Sequence, residues 1–129
     1  MKPVTGGVCA PKGYQASGVV GQIKRVGSTR KDCALVVSDT PATVAGTFTK
    51  NLLKAPPIQW TEGVCIRGTA RAVFVNAGNA NACTGARGLE DAQATAESLA
   101  NALGLNIAEV CVLSTGVIGV PLPMDRVLA

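Results

Sequence analysis

Histidine is absent from this 129-residue chain, which excludes a Ser-His-Asp triad or a Cys-His pair built from these residues alone. No C-x-x-C occurs either. The five cysteines (Cys9, Cys33, Cys65, Cys83, Cys111) are odd in number and widely spaced, so neither a zinc site nor a disulfide framework is expected. Cys33 and Cys111 lie inside apolar runs, where a thiol acts as a small hydrophobe. Aromatics are scarce: Tyr14, Phe48, Trp60 and Phe74 are the full set. The core must therefore be built from Val, Ala, Leu and Ile. No apolar run approaches the roughly 18 residues that span a membrane, and the N-terminus lacks the charged-then-apolar order of a signal peptide. A soluble, cytoplasmic protein with no membrane partner is the expectation, with no cofactor and no metal.

What is present is 47% apolar, a composition that argues for a globular chain and against disorder. Net charge is +4, unevenly spread. Residues 1–60 hold eight basic and two acidic side chains, the remainder four basic and six acidic. The bases are scattered, with few aromatics to stack on and no nucleic-acid motif, so a solvated surface is the better reading than a nucleic-acid partner.

Residues 13–26 alternate loosely and carry glycines, as a bent strand or hairpin arm does. Gly27 to Asp32 has turn composition, and Cys33 to Val37 reads as a strand covered on both faces. Asp39-Thr40-Pro41 is expected to break that strand, and Thr43 to Thr49 to resume it. Residues of about 13–49 thus read as a meander of about three strands. In the next stretch a helix begun at Asn51 would be stopped by Pro56-Pro57, and Thr61 to Thr69 reads as loop with a short strand or helical turn.

Arg71 to Val75 is a buried strand leading into Asn76-Ala77-Gly78-Asn79-Ala80-Asn81, where asparagine and glycine tolerate left-handed angles. Gly88 to Leu103 has a single apolar stripe of Leu89, Ala92, Ala96, Leu99 and Leu103. Glu90 and Asp91 fall in its expected first turn, and Gly104 stands at its end. Val110 to Leu113 is a second strand, leading into Ser114-Thr115-Gly116-Val117-Ile118-Gly119-Val120-Pro121. Strand, asparagine-rich loop, helix, strand, glycine-rich loop makes a β-α-β unit over about 70–116, right-handed by default. Both loops leave the C-terminal ends of their strands, where parallel sheets usually bind ligands. The two motifs should therefore lie side by side. A threonine hydroxyl beside a glycine N–H at a strand end can hold a developing negative charge on an acyl oxygen. On these residues alone a plain turn is the simpler explanation, and turn chemistry likewise accounts for the three asparagines.

The stretches Val75 to Gly85 and Ser114 to Asp125 closely resemble the ornithine acetyltransferase (glutamate N-acetyltransferase) family of arginine biosynthesis. Gly7-Val8-Cys9-Ala10-Pro11-Lys12-Gly13-Tyr14 and Leu35 to Gly46 fit the same family, although its members normally have threonine where Cys9 stands. The resemblance implies a layered α/β fold, with a mixed β-sheet and packed helices, of which residues 1–129 form the N-terminal portion of the alpha chain. It implies transfer of an acetyl group from N-acetylornithine to glutamate through an acetyl-threonine enzyme, and leaves acetyl-coenzyme A open as a second donor. Such enzymes cut their own chain before a threonine, which becomes the nucleophile with its freed α-amine as base, so no histidine is needed. The implied oxyanion hole falls on Thr115 and Gly116. At Gly116 the missing Cβ would leave room for substrate to reach the N–H. The asparagines are implied to brace the site.

The chain ends at Ala129, short of the implied cleavage site, so the nucleophile is expected on a beta chain, the partner that completes the enzyme. Pro123 to Ala129 reads as a helix cut after its first turn, too short to hold itself together. Two other readings remain. The chain is a non-catalytic binding or assembly module in one, separated from the enzyme by an acetyl-transfer assay. In the other it is a nucleotide-binding β-α-β unit, although the loop after Val75 lacks both G-x-G-x-x-G and the P-loop pattern.

Overall fold

The computed structural model describes residues 3–129. Four strands form one mixed sheet in the order β1-β2-β3-β4: β1 Tyr14–Val19, β2 Cys33–Thr43, β3 Thr69–Asn79 and β4 Val110–Val117. β1 and β2 pair antiparallel, as do β2 and β3, whereas β3 and β4 are parallel. Helix α2, Gly85–Leu103, makes the β3-α2-β4 crossover. Helix α1, Pro56–Arg67, joins β2 to β3, and α3, Met124–Val127, is a single turn near the C-terminus.

The α2 face of the sheet carries the main core. Ala96 and Ala100 of α2 pack onto Ala72 and Phe74 of β3 and Val110 and Val112 of β4. Small side chains let the helix lie close to the sheet, and each fully buried valine contributes about 1.5–3 kcal/mol. The buried stripe of α2 is Gly88, Asp91, Ala92, Thr95, Ala96 and Ala100. Leu89, expected on it, lies at the margin of that face and is 41% exposed. The helix starts at Gly85, so Asp91 lies beyond the first turn; it falls on the buried stripe, at 7% exposure. Gly104 closes the helix in a left-handed conformation, as expected.

Three expectations need correction. Pro56-Pro57 does not stop a helix; it begins α1, standing at the first helical positions. There the backbone N–H groups have no intrahelical acceptor, so proline loses nothing. Asp39-Thr40-Pro41 does not end β2, which runs on through an irregularity between Val37 and Ala42. A proline is tolerated at such a bulge, and Arg71 satisfies the displaced carbonyls, donating from Nη2 to Asp39 O at 2.7 Å and from Nε and Nη2 to Ser38 O at 3.2 Å. The meander consequently has two strands, and residues 44–49 are irregular. Finally, β3 and β4 do not stop before the two motifs but continue into them, β3 to Asn79 and β4 to Val117.

Candidate active site

Register places the motifs side by side: Asn76 lies opposite Ser114, Ala77 opposite Thr115, and Gly78 opposite Gly116. The expected adjacency holds, but within paired strand rather than between free loops. Ser114 donates its hydroxyl hydrogen to Asn76 Oδ1 at 2.6 Å. Asn76 Nδ2 donates to Asn79 O at 2.9 Å. Asn79 Nδ2 in turn reaches both Val120 O and Pro121 O at 3.0 Å, holding the chain that follows the Ser-Thr-Gly motif. Asn81 donates from its backbone N–H to Asn79 Oδ1 and from Nδ2 to Gly88 O, both at 2.8 Å, and accepts from the Thr84 hydroxyl at 2.7 Å. All three asparagines are at most 4% exposed, so their amides bind protein and brace the wall. Only Asn81 shows the left-handed angle expected of turn chemistry, with φ 45°.

β4 is an edge strand, and α1 covers part of that edge. Trp60 Nε1 donates to Val110 O at 2.9 Å. The Thr61 hydroxyl donates to Val112 O at 2.7 Å and accepts from Val112 N–H at 3.1 Å. Successive residues of a strand direct their backbone groups to opposite sides, so the groups of Ser114 and Gly116 belong to this same outer edge. Val117 O confirms the phase, since it accepts from Ala80 N–H at 2.9 Å on the inner side. Beyond Val112 the edge is uncovered by α1. A cavity of about 300 Å³ begins there, bounded by Pro57, Ile58 and Thr61 of α1, by Val112 to Ser114, by Ala80 and Ala82, and by Thr47 to Thr49 of the irregular segment.

Thr115 and Gly116 are both exposed. Side-chain alternation puts Thr115 on the sheet face of Cys111 and Leu113, opposite the α2 core. Gly116 has φ 137°, a backbone that L side chains rarely adopt. A Cβ there would overlap the Gly78 carbonyl carbon and lie 2.6 Å from the Asn79 nitrogen. The glycine is therefore required by close approach of β4 to β3.

Two buried groups nearby have perturbed acidity. Burial pushes the Cys111 thiol up to about 11, which keeps it an inert core side chain. Burial also raises the Asp91 carboxyl above its ordinary value, with Arg87 opposing and Glu90 reinforcing the shift. Arg87 Nε stands 4.0 Å from Asp91 Oδ2, too far for a hydrogen bond, and that oxygen has no partner among the described residues. Sequence reasoning missed this burial, and also the capping of β4 by Trp60 and Thr61. A lone tryptophan whose N–H needs an acceptor was the available signal. Among the described residues no cluster of His, Cys, Asp and Glu could hold a metal, and no helix is long and apolar enough to cross a membrane.

The sequence model of the ArgJ family matches residues 15–129. The chain belongs to the ArgJ family. It is 50% identical to the arginine biosynthesis bifunctional protein ArgJ of Symbiobacterium thermophilum over 129 residues, covering 100% of this chain and 32% of that protein. It is 52% identical to ArgJ of Geobacter sulfurreducens over 116 residues, covering 90% of this chain and 29% of that one. The crystal structure of ArgJ from Bacillus halodurans superposes with a TM-score of 0.88 at 40% identity, over 95% of this chain and 63% of its own. The ornithine complex of ornithine acetyltransferase from Mycobacterium tuberculosis gives a TM-score of 0.88 at 47% identity, over 94% and 65%. The chain spans about a third of the length of the curated ArgJ relatives it matches. The layered α/β fold and the family expected from the motifs both hold.

Proposed function

We propose that this chain supplies the oxyanion-binding element of an acetyltransferase of arginine biosynthesis, with Thr115 and Gly116 as its two donors. The observation that carries the reading is the edge of β4: the Gly116 N–H belongs to the side of the strand left uncovered beyond Val112, it follows an exposed Thr115, and it lies two residues past Ser114, the last β4 residue lining the cavity. Such donors hold charge best when they are fixed before the reaction begins. The asparagine network fixes the strands that carry them.

In the complete enzyme the acetyl donor is N-acetylornithine and the acceptor glutamate. The names of the relatives and the ornithine complex of one of them support this substrate class. The nucleophile is the N-terminal threonine of a partner beta chain released by self-cleavage. Its hydroxyl attacks the acetyl carbonyl and gives its proton to the threonine α-amine. The carbonyl oxygen, now negative, accepts from Thr115 O–H and Gly116 N–H. Collapse breaks the amide C–N bond, and the ornithine amine leaves with that proton. Glutamate's amine then attacks the acetyl-threonine ester, giving N-acetylglutamate and restoring the hydroxyl.

Thr115→Ala tests this in the assembled enzyme. Losing one such donor costs about 100- to 1,000-fold in kcat, or roughly 3 to 4 kcal/mol. KM should change little, because the donor acts in the transition state. Separately expressed chains with correct ends remove the confounding effect of impaired self-cleavage. Near-normal acetylation of the nucleophile by Thr115→Ala would withdraw the assigned role, and absence of acetyl transfer by the assembled wild type would favour a binding or assembly module.

A further inference from the structure

Asp32 lies outside both motifs, at the turn into β2, yet its backbone and side chain tie the 21–23 loop to β1 and to the Asn-rich motif. Its carbonyl accepts from Ala77 N–H at 2.7 Å, within the Asn-rich motif, and its N–H donates to Val19 O at 3.0 Å. The carboxylate accepts three consecutive backbone N–H groups: Gly21 at 2.6 Å, Gln22 at 3.2 Å and Ile23 at 2.7 Å. Bonds from backbone amides to an ionised carboxylate are roughly twice as strong as neutral ones, so the 21–23 loop is folded around this one side chain. Gln22 takes a left-handed φ of 55° there, and its carbonyl is held from the other side by Arg126 Nη1.

The loop delivers Lys24 onto Gly78. A Cβ on Gly78 would meet Lys24 Cβ at 2.6 Å and Lys24 N at 2.8 Å, so the two backbones are in direct contact. Gly78 is also the residue against which Gly116 stacks. Lys24, Gly78 and Gly116 therefore form a stack without intervening side chains, and the loop end of that stack is set by Asp32. We propose that Asp32 is a positioning residue for the Gly116 N–H: its carboxylate fixes the loop that buttresses Gly78 and, through it, the oxyanion donor. This inference rests on the oxyanion role proposed above. Closely packed backbone transmits displacement because no side chain is there to absorb it.

In the complete enzyme, Asp32→Asn replaces one acceptor oxygen by a donor facing the loop N–H groups. A donor displaced by about 1 Å costs on the order of 100-fold in turnover. The expected result is a fall in kcat of that order with KM unchanged, in enzyme that is still folded at the assay temperature by its thermal melt. Gly78→Ala forces the same contact apart while keeping the carboxylate, and should reproduce the kcat loss. The double variant should be no worse than the poorer single variant, because both act on one stack. Normal turnover by folded Asp32→Asn overturns the proposal and leaves Asp32 a stabilising residue only, as does a rise in KM alone. If Asp32→Asn does not fold, normal turnover by Gly78→Ala overturns it equally. A fall in Thr115→Ala with normal Asp32→Asn sinks this inference alone, whereas normal Thr115→Ala sinks the oxyanion reading on which it rests.

Discussion

Ser114 and Asn76 face each other across β4 and β3, with the serine hydroxyl donating to the asparagine Oδ1 at 2.6 Å. Through this pair the Ser-Thr-Gly motif is joined to the Asn-rich motif, and Asn79 passes the restraint on to Val120 and Pro121. The strand bearing Thr115 and Gly116, proposed above as the two donors, is thereby held on both sides of them. A backbone N–H held in this way has little orientation left to find when charge develops on an acyl oxygen.

Removing that bond should loosen the site before it unfolds the protein. Ser114→Ala leaves Asn76 Oδ1, on a side chain only 1% exposed, without its donor. An unsatisfied buried acceptor costs about 1–3 kcal/mol. The unfolding free energy of the assembled enzyme should drop by that amount, lowering the denaturant midpoint while the denaturant dependence stays unchanged. A midpoint equal to the wild type's would show that the link contributes nothing.

Gly116→Ala should damage structure as well as turnover. Its Cβ would collide with the Gly78–Asn79 backbone at a φ of 137°. Overpacking of this kind costs about 1–3 kcal/mol, with backbone strain added. Thr115→Ala, by contrast, trims an exposed side chain and should leave stability within about 0.5 kcal/mol. Parallel melts of the two variants check this. Equal stability of the two would mean that the β3–β4 approach is not tight at this point.

Asp91 makes stability depend on pH. Its folded-state carboxyl is raised by burial, so the folded chain holds the proton more tightly than the unfolded chain. Stability from this group is present at low pH and is lost as pH rises from the ordinary carboxylate value through the raised one. Asp91→Asn removes the ionisation, and should be more stable than wild type at neutral pH, with the advantage shrinking as pH falls into the carboxylate range. Melting both proteins over a pH series tests the sign. A difference independent of pH would show that Asp91 titrates alike in both states.

The cysteines should divide by burial. Cys9 and Cys83 are exposed and Cys33 and Cys111 buried, so alkylation of native protein should label the first pair well before the second. A thiol nucleophile needs a cationic or basic activator, and Cys111 is instead pushed up to about 11 by burial. Cys83→Ala and Cys111→Ala in the complete enzyme should retain turnover. Loss of acetyl-enzyme formation in Cys83→Ala would mean that the acetyl group is not carried by threonine.

The β3-α2-β4 unit was legible because its signals are local. An apolar run followed by a 3.6-residue periodicity and a second apolar run specifies parallel neighbours, and these put the Asn-rich and Ser-Thr-Gly motifs together. Pro56-Pro57 was read the wrong way because a proline pair breaks a helix in its interior and starts one at its end. Which applies depends on what the following turns pack against, here Cys111 and Ala70 beneath Val64. The polar motifs did not look like strand because their composition is that of turns. Tertiary pairing overrode it, matching each motif's backbone groups to the other's. Burial of Asp91, the cap that Thr61 places on Val112, and the outward side of Gly116 were likewise decided only in the folded molecule. Each depends on groups up to 51 positions apart in the chain, and no periodicity within a segment records which distant partner will meet it.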